Sequence, residues 1–154
     1  MKIADSATLP HRTTTNDFAT LLTAELRAAG GDVPIWRGER GCHDLLGGIV
    51  VPDSHLVLER PGLPALHLLL EVDRGTEDHA RLLTKARRYA KAIPRSSIAG
   101  LDPLVLLVVP GMRRAQTVAA TLADGPWPIA VEAWNPKQGS PSAVTAAAER
   151  ARRN

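Results

Sequence analysis

The run Leu104-Val105-Leu106-Leu107-Val108-Val109 constrains the fold more than any other segment of this chain. Six consecutive aliphatic residues without alternation leave no polar face for water. The run falls far short of the roughly 20 residues needed to span a bilayer, as does the run from Leu66 to Leu70. Short and rich in Val and Leu, it fits a strand buried on both faces. Such a strand needs cover on each side, so helices must lie on both faces of the sheet that contains it. A chain of 154 residues is long enough to build that arrangement as one domain with a real core.

The remaining pattern supplies the layers. Residues 1–14 are polar, Thr-rich and without periodicity, and read as a flexible lead-in. From Asn16 the pattern is helical: Phe18, Leu21, Leu22, Leu26 and Ala29 recur at three- and four-residue spacings until Gly30-Gly31 ends the run. Extended segments are expected over residues 34–37, 48–58 and 65–73. Pro52 marks a bulge or bend in the second, and Pro61-Gly62 forms the turn before the third. A second helix is expected over residues 77–93, capped by Thr76 and ended by Pro94. After Leu104–Val109 come a helix over residues 113–123, closed by Gly125-Pro126, and a last strand at Ile129–Ala133. Residues 135–154 read as a tail, first Pro/Gly/Ser-rich and then Ala/Glu/Arg-rich, with a frayed helix. The order α, three-strand meander, α, β, α, β over residues 15–134 implies a single α/β (α+β) domain, its mixed sheet flanked by helices.

Several function classes are excluded. The single cysteine, Cys42, cannot form an internal disulfide, which removes the stapled secreted scaffolds. The N-terminal residues lack the apolar stretch of a signal peptide, so a soluble, cytoplasmic protein without membrane contact is expected. His43, His55, His67 and His79 have no paired spacing of a zinc site. No Gly-x-Ser-x-Gly elbow is present, and neither Gly30-Gly31 nor Gly47-Gly48 opens a phosphate-binding helix. The balance of 19 Lys+Arg against 16 Asp+Glu gives a net charge of +3, which permits nucleic acid as a partner. The bases are concentrated: Arg74, Arg81, Lys85, Arg87, Arg88, Lys91 and Arg95 face only Glu77 and Asp78 in that stretch. A field of that sign suits a polyanion. One Phe, one Tyr and three Trp are too few for a base-stacking platform.

The acids carry the chemistry. Glu71 and Asp73 end an almost wholly apolar strand and, two residues apart, point to the same face of the sheet. Asp53 lies in the preceding extended segment, so neighbouring strands can bring Asp53, Glu71 and Asp73 together. Clustered carboxylates raise one another's pKa unless a cation shares them, and their hard oxygens are what Mg²⁺ or Mn²⁺ selects. Spacing alone leaves a second reading open, in which Asp53 sits in a Pro-Asp turn and Glu71 and Asp73 lead into the next helix. Glu25 lies at the edge of the buried face of the first helix, and is either a fourth member of the cluster or a boundary residue reaching solvent.

Residues 16–93 resemble the replication-relaxation family of actinobacterial plasmids and chromosomes. The resemblance is carried by Asn16-Asp17-Phe18, by Trp36-Arg37 with Glu39, by Pro52-Asp53, by the block Glu71-Val72-Asp73-Arg74-Gly75-Thr76-Glu77, and by Lys85 with Tyr89. The family's domain is in turn similar to the PD-(D/E)XK nucleases, whose restriction-endonuclease-like core is α-β-β-β-α-β; here an extra α and β follow. That likeness implies Asp53 and Glu71 as metal ligands and an optional acid at Glu25. It also implies a strand lysine where this chain has Asp73, with Lys85 in the following helix as the candidate replacement. Members often carry a winged-helix region ahead of this domain, for which this chain has no room, so dimerisation or a replication partner is expected to help recruit DNA.

The expectation is therefore a Mg²⁺- or Mn²⁺-dependent DNA nuclease linked to replication or DNA processing. Asp53, Glu71 and Asp73 hold the metal, with Glu25 in support and Lys85 positioning water or neutralising phosphate charge. Arg74, Arg81, Arg87, Arg88 and Lys91 track the DNA backbone. The missing strand lysine keeps two rivals open: a nuclease fold that binds DNA without cutting it, and a protein-interaction module.

Overall fold

The computed structural model describes residues 8–134 and residue 137. Helix α1 (Thr8–Ala28) leads into three antiparallel strands, β1 (Asp32–Gly38), β2 (Ser54–Arg60) and β3 (Leu63–Val72). Helix α2 (His79–Ala92) crosses to β4 (Leu104–Val109), and α3 (Met112–Leu122) crosses to β5 (Ile129–Ala133). Strands β3, β4 and β5 are parallel, and the sheet runs in the order β1-β2-β3-β4-β5. This is the mixed, helix-flanked α/β architecture that the unbroken run of Leu and Val demands.

Every residue of β4 is buried, and its side chains divide between two layers by strand alternation. Leu104, Leu106 and Val108 pack with Leu56, Leu58, Leu68 and Leu70 beneath Phe18, Leu22 and Leu26 of α1. Trp134 joins this layer and meets the Phe18 ring edge-on at 5.1 Å. On the opposite face Leu107 and Val109 pack against Leu82 and Ala86 of α2 and Val118 and Leu122 of α3. Val105 and Leu69 meet Tyr89, Ala92 and Leu46 there.

Several boundaries differ from expectation for identifiable reasons. Helix α1 starts at Thr8, inside the expected lead-in. Pro10 falls in its first turn, where a missing N–H is tolerated. The expected second strand begins only at Ser54: Gly47 and Gly48 adopt positive φ (65° and 73°) and turn the chain, and Pro52 cannot donate to a ladder. Helix α2 starts at His79 with Asp78 as its cap, not Thr76; the Asp78 carboxylate accepts from the Arg81 N–H at 2.9 Å. Glu77 is thereby left outside the helix. The tail over residues 135–154, apart from residue 137, and the lead-in before Thr8 lie outside the described residues. No described helix is long and apolar enough to cross a membrane.

Cys42 is fully buried beside the sheet, and burial pushes its thiol up to about 11. It should resist a thiol reagent at mildly alkaline pH in the native protein and react at once in guanidinium. Rapid modification of the folded chain contradicts this packing.

Candidate active site

The site forms where β3 ends beside the start of β2. The ladder continues one residue beyond β2: the Asp53 N–H donates to Leu70 O at 3.0 Å. The Asp53 carboxylate then accepts from the Val72 N–H at 2.8 Å, fixing it across the strand end beside Glu71. Glu71 follows Leu69 on the face covered by α2, and only 5% of it is exposed. Two side chains of α2 reach it. Tyr89 donates its hydroxyl to Glu71 Oε1 at 2.5 Å, and Lys85 Nζ lies 3.3 Å from Oε2. The two are four apart in sequence, one helical turn, which puts them on one side of α2.

The electrostatics follow from burial. Desolvation raises the Glu71 pKa most, the Asp53 charge adds to it, and Lys85 and Tyr89 pull against both; the result is about 7. For Lys85 burial works against the charged form, but Glu71 and Glu77 outweigh it and raise the pKa, so Lys85 is a cation at neutral pH. Burial and the neighbouring Glu71 charge push Tyr89 well above the usual phenol range, so it stays a donor.

The structure brings Asp53, Glu71 and Lys85 together and sets other candidates apart. Asp73 shares the face of Glu71, but its carboxylate is committed elsewhere. Oδ1 accepts from the Gly75 N–H at 2.8 Å and Oδ2 from Arg114 Nε of α3 at 2.8 Å. Glu25 belongs to the other layer. Thr15 of α1 lies near Asp53, but Glu25 is ten residues further along the helix, about 15 Å, next to Leu26, which packs by Gly31 and Glu59. Among the described residues no three His, Cys, Asp or Glu side chains form a metal-holding group. Asp53 and Glu71 are the two carboxylates that meet at the strand ends, and Glu77 adds a third on the far side of Lys85.

Two openings reach it. A cleft of about 290 Å³ is lined by Thr15, Asn16, Gly38, Arg40 and Asp53. A second is lined by Glu77, Arg81, Thr84, Lys85 and Arg88. Arg81 and Arg88 thus flank Lys85, whereas Arg87 and Lys91 are exposed on α2 outside that lining. Arg74 is exposed in the loop after β3. Two participants had no assigned role at the level of sequence. The Glu77 carboxylate accepts from Lys85 Nζ at 2.5 Å, and the Glu77 backbone carbonyl accepts from Arg114 Nη2 at 2.6 Å. Arg114, from a helix well downstream, carries no local signal that would mark it.

Fold and site together define a mixed-sheet α/β protein with a buried acid–lysine–tyrosine cluster at the strand ends. The chain belongs to the replication-relaxation family, whose model matches residues 1–99. That membership assigns it to replication or DNA processing. No curated protein matches the chain.

Proposed function

We propose that this protein is a divalent-cation-dependent DNA nuclease of the PD-(D/E)XK type. One observation carries the reading: Lys85 reaches Glu71 from α2, beside Asp53, in a chain that lacks the strand lysine of that superfamily. The element order α-β-β-β-α-β at the start of the fold agrees with it.

The donor set suits a hard cation. Mg²⁺ is commonly held by one or two carboxylates, with waters and substrate phosphate completing its shell, and Asp53 and Glu71 are such a pair. A buried carboxylate whose proton is retained to about pH 7 beside a second acid is also one that a nearby positive charge would favour in ionised form. When bound, such a cation polarises the scissile phosphate, activates a water and steadies the leaving oxygen. The protein's own residues do the positioning. Asp53 is fixed by the Val72 N–H and Glu71 by Tyr89. Lys85 would hold the attacking water or neutralise phosphate charge.

The deciding experiment is cleavage of plasmid, linear and branched DNA in Mg²⁺ and Mn²⁺. Cutting that stops in EDTA supports the nuclease. No cutting, with DNA binding that persists in EDTA, makes the chain a nuclease-fold binding module. Phosphate contacts are assigned to Arg81 and Arg88, which share the opening with Lys85. Neutralising both should flatten the slope of log affinity against log salt by about 2, since each phosphate contact contributes about 0.9. Arg87→Gln should leave the slope unchanged; an equal effect from Arg87 would move the DNA path off this opening.

A further inference from the structure

We infer that Asp73, Arg114 and Glu77 form a bracket that sets Lys85 against Glu71, making Arg114 of α3 a positioning residue of the site. Its consequence for cleavage rests on the nuclease reading above; the bracket itself rests on geometry.

The argument starts at Asp73, whose side chain is fully buried and paired to Arg114. A buried carboxylate is stable only with partners for its charge and lone pairs. Gly75 N–H and Arg114 Nε supply them, each at 2.8 Å. A guanidinium is a rigid fork that serves two acceptors at once. The second is the backbone carbonyl of Glu77, 2.6 Å from Nη2. Residues 73–78 belong to no helix or strand, and Gly75 turns the chain at φ 84°. The Arg114 fork thus ties both ends of this turn to α3. Pinned there, Glu77 holds Lys85 Nζ through Oε1 at 2.5 Å, with Glu71 at 3.3 Å on the other side. Lysine is a point charge on a flexible stem; between two fixed carboxylates it has one defined place. The bracket also accounts for the acid at position 73. Where the nuclease pattern has a lysine, Asp73 holds the turn that positions a lysine arriving from α2.

The test compares Arg114→Lys and Arg114→Gln with Arg113→Gln, an exposed neighbour on α3. Lysine can still neutralise Asp73 but lacks the rigid planar fork that holds Asp73 and the Glu77 carbonyl in one fixed geometry. Two readouts are needed. The first is reductive methylation of Lys85 relative to Lys91 in the native protein, followed by peptide mass spectrometry. The second is kcat and KM for cleavage. In Arg114→Lys the relative methylation of Lys85 should rise several-fold. The same variant should lower kcat by about 10- to 100-fold with KM nearly constant, because small misplacements of a positioned group are costly. Arg113→Gln should match the wild type in both. Unchanged Lys85 reactivity and unchanged kcat in Arg114→Lys overturn the bracket, whether or not Arg114→Gln folds. If the wild type cuts no DNA, the nuclease reading fails by itself. Methylation then decides the bracket alone: a rise supports it and no change overturns it.

Discussion

Cleavage of DNA in Mg²⁺ should fall by about 10³-fold in Asp53→Asn and again in Glu71→Gln, with the fold retained in both. Each substitution keeps size and hydrogen-bonding capacity while removing the negative charge. The asparagine amide still offers an oxygen to the Val72 N–H, and the glutamine amide still offers one to the Tyr89 hydroxyl. What is lost under the proposed function is a carboxylate ligand, and a metal's stabilisation of the transition state is worth several kcal/mol; about 4 kcal/mol corresponds to 10³ in rate. In the proposed nuclease both acids serve one ion, so the double variant should be little worse than either single one. Single-turnover cleavage with matched circular dichroism spectra checks this. An Asp53→Asn protein that cuts at the wild-type rate would remove Asp53 from the metal and, with it, the two-carboxylate site.

Much of this arrangement was legible in the residues, and the exceptions share a cause. Leu104–Val109 and Ile129–Ala133 are strands with the expected bounds, because an unbroken aliphatic run between turn residues allows little else. The facing of Glu71 followed from strand alternation, and its meeting with Lys85 followed from the family likeness. Periodicity reports which face a residue takes, not which partner it finds there. Asp73 was placed on the correct face, yet its partner is Arg114, 41 residues downstream. Glu25 was placed at the edge of a buried face, but position along a helix axis is invisible to a hydrophobic pattern. The cap of α2 moved from Thr76 to Asp78 because Asp is at least as good a cap, and the shift of two residues left Glu77 free to turn toward Lys85.

The Glu71 carboxyl should make the metal-free protein less stable as pH rises, an effect that Glu71→Gln removes. In the unfolded chain this group has its ordinary value of 4.5, whereas burial first, and then the Asp53 charge, hold it near 7 in the fold. Between those values the folded protein keeps a proton that the unfolded chain has released. The raised pKa therefore contributes stability that is fully present below 4.5 and is lost as pH rises through about 7. At about 1.4 kcal/mol per pH unit the interval amounts to roughly 3 kcal/mol. For a domain of this size that is on the order of 10 °C in Tm. Thermal melts in EDTA across this range should show the wild type losing ground steadily to Glu71→Gln, with the gap levelling off above about pH 7. Mg²⁺ should then raise the wild-type Tm at neutral pH and leave Glu71→Gln unmoved, since only a ligand that binds the native state stabilises it. Parallel pH curves for the two proteins would mean that Lys85 and Tyr89 fully offset the burial of Glu71. A Mg²⁺ response shared equally by both would place the cation elsewhere. The expected pattern, a carboxylate that weakens the fold until a cation joins it, is the cost of keeping an ionisable group under α2 instead of another leucine.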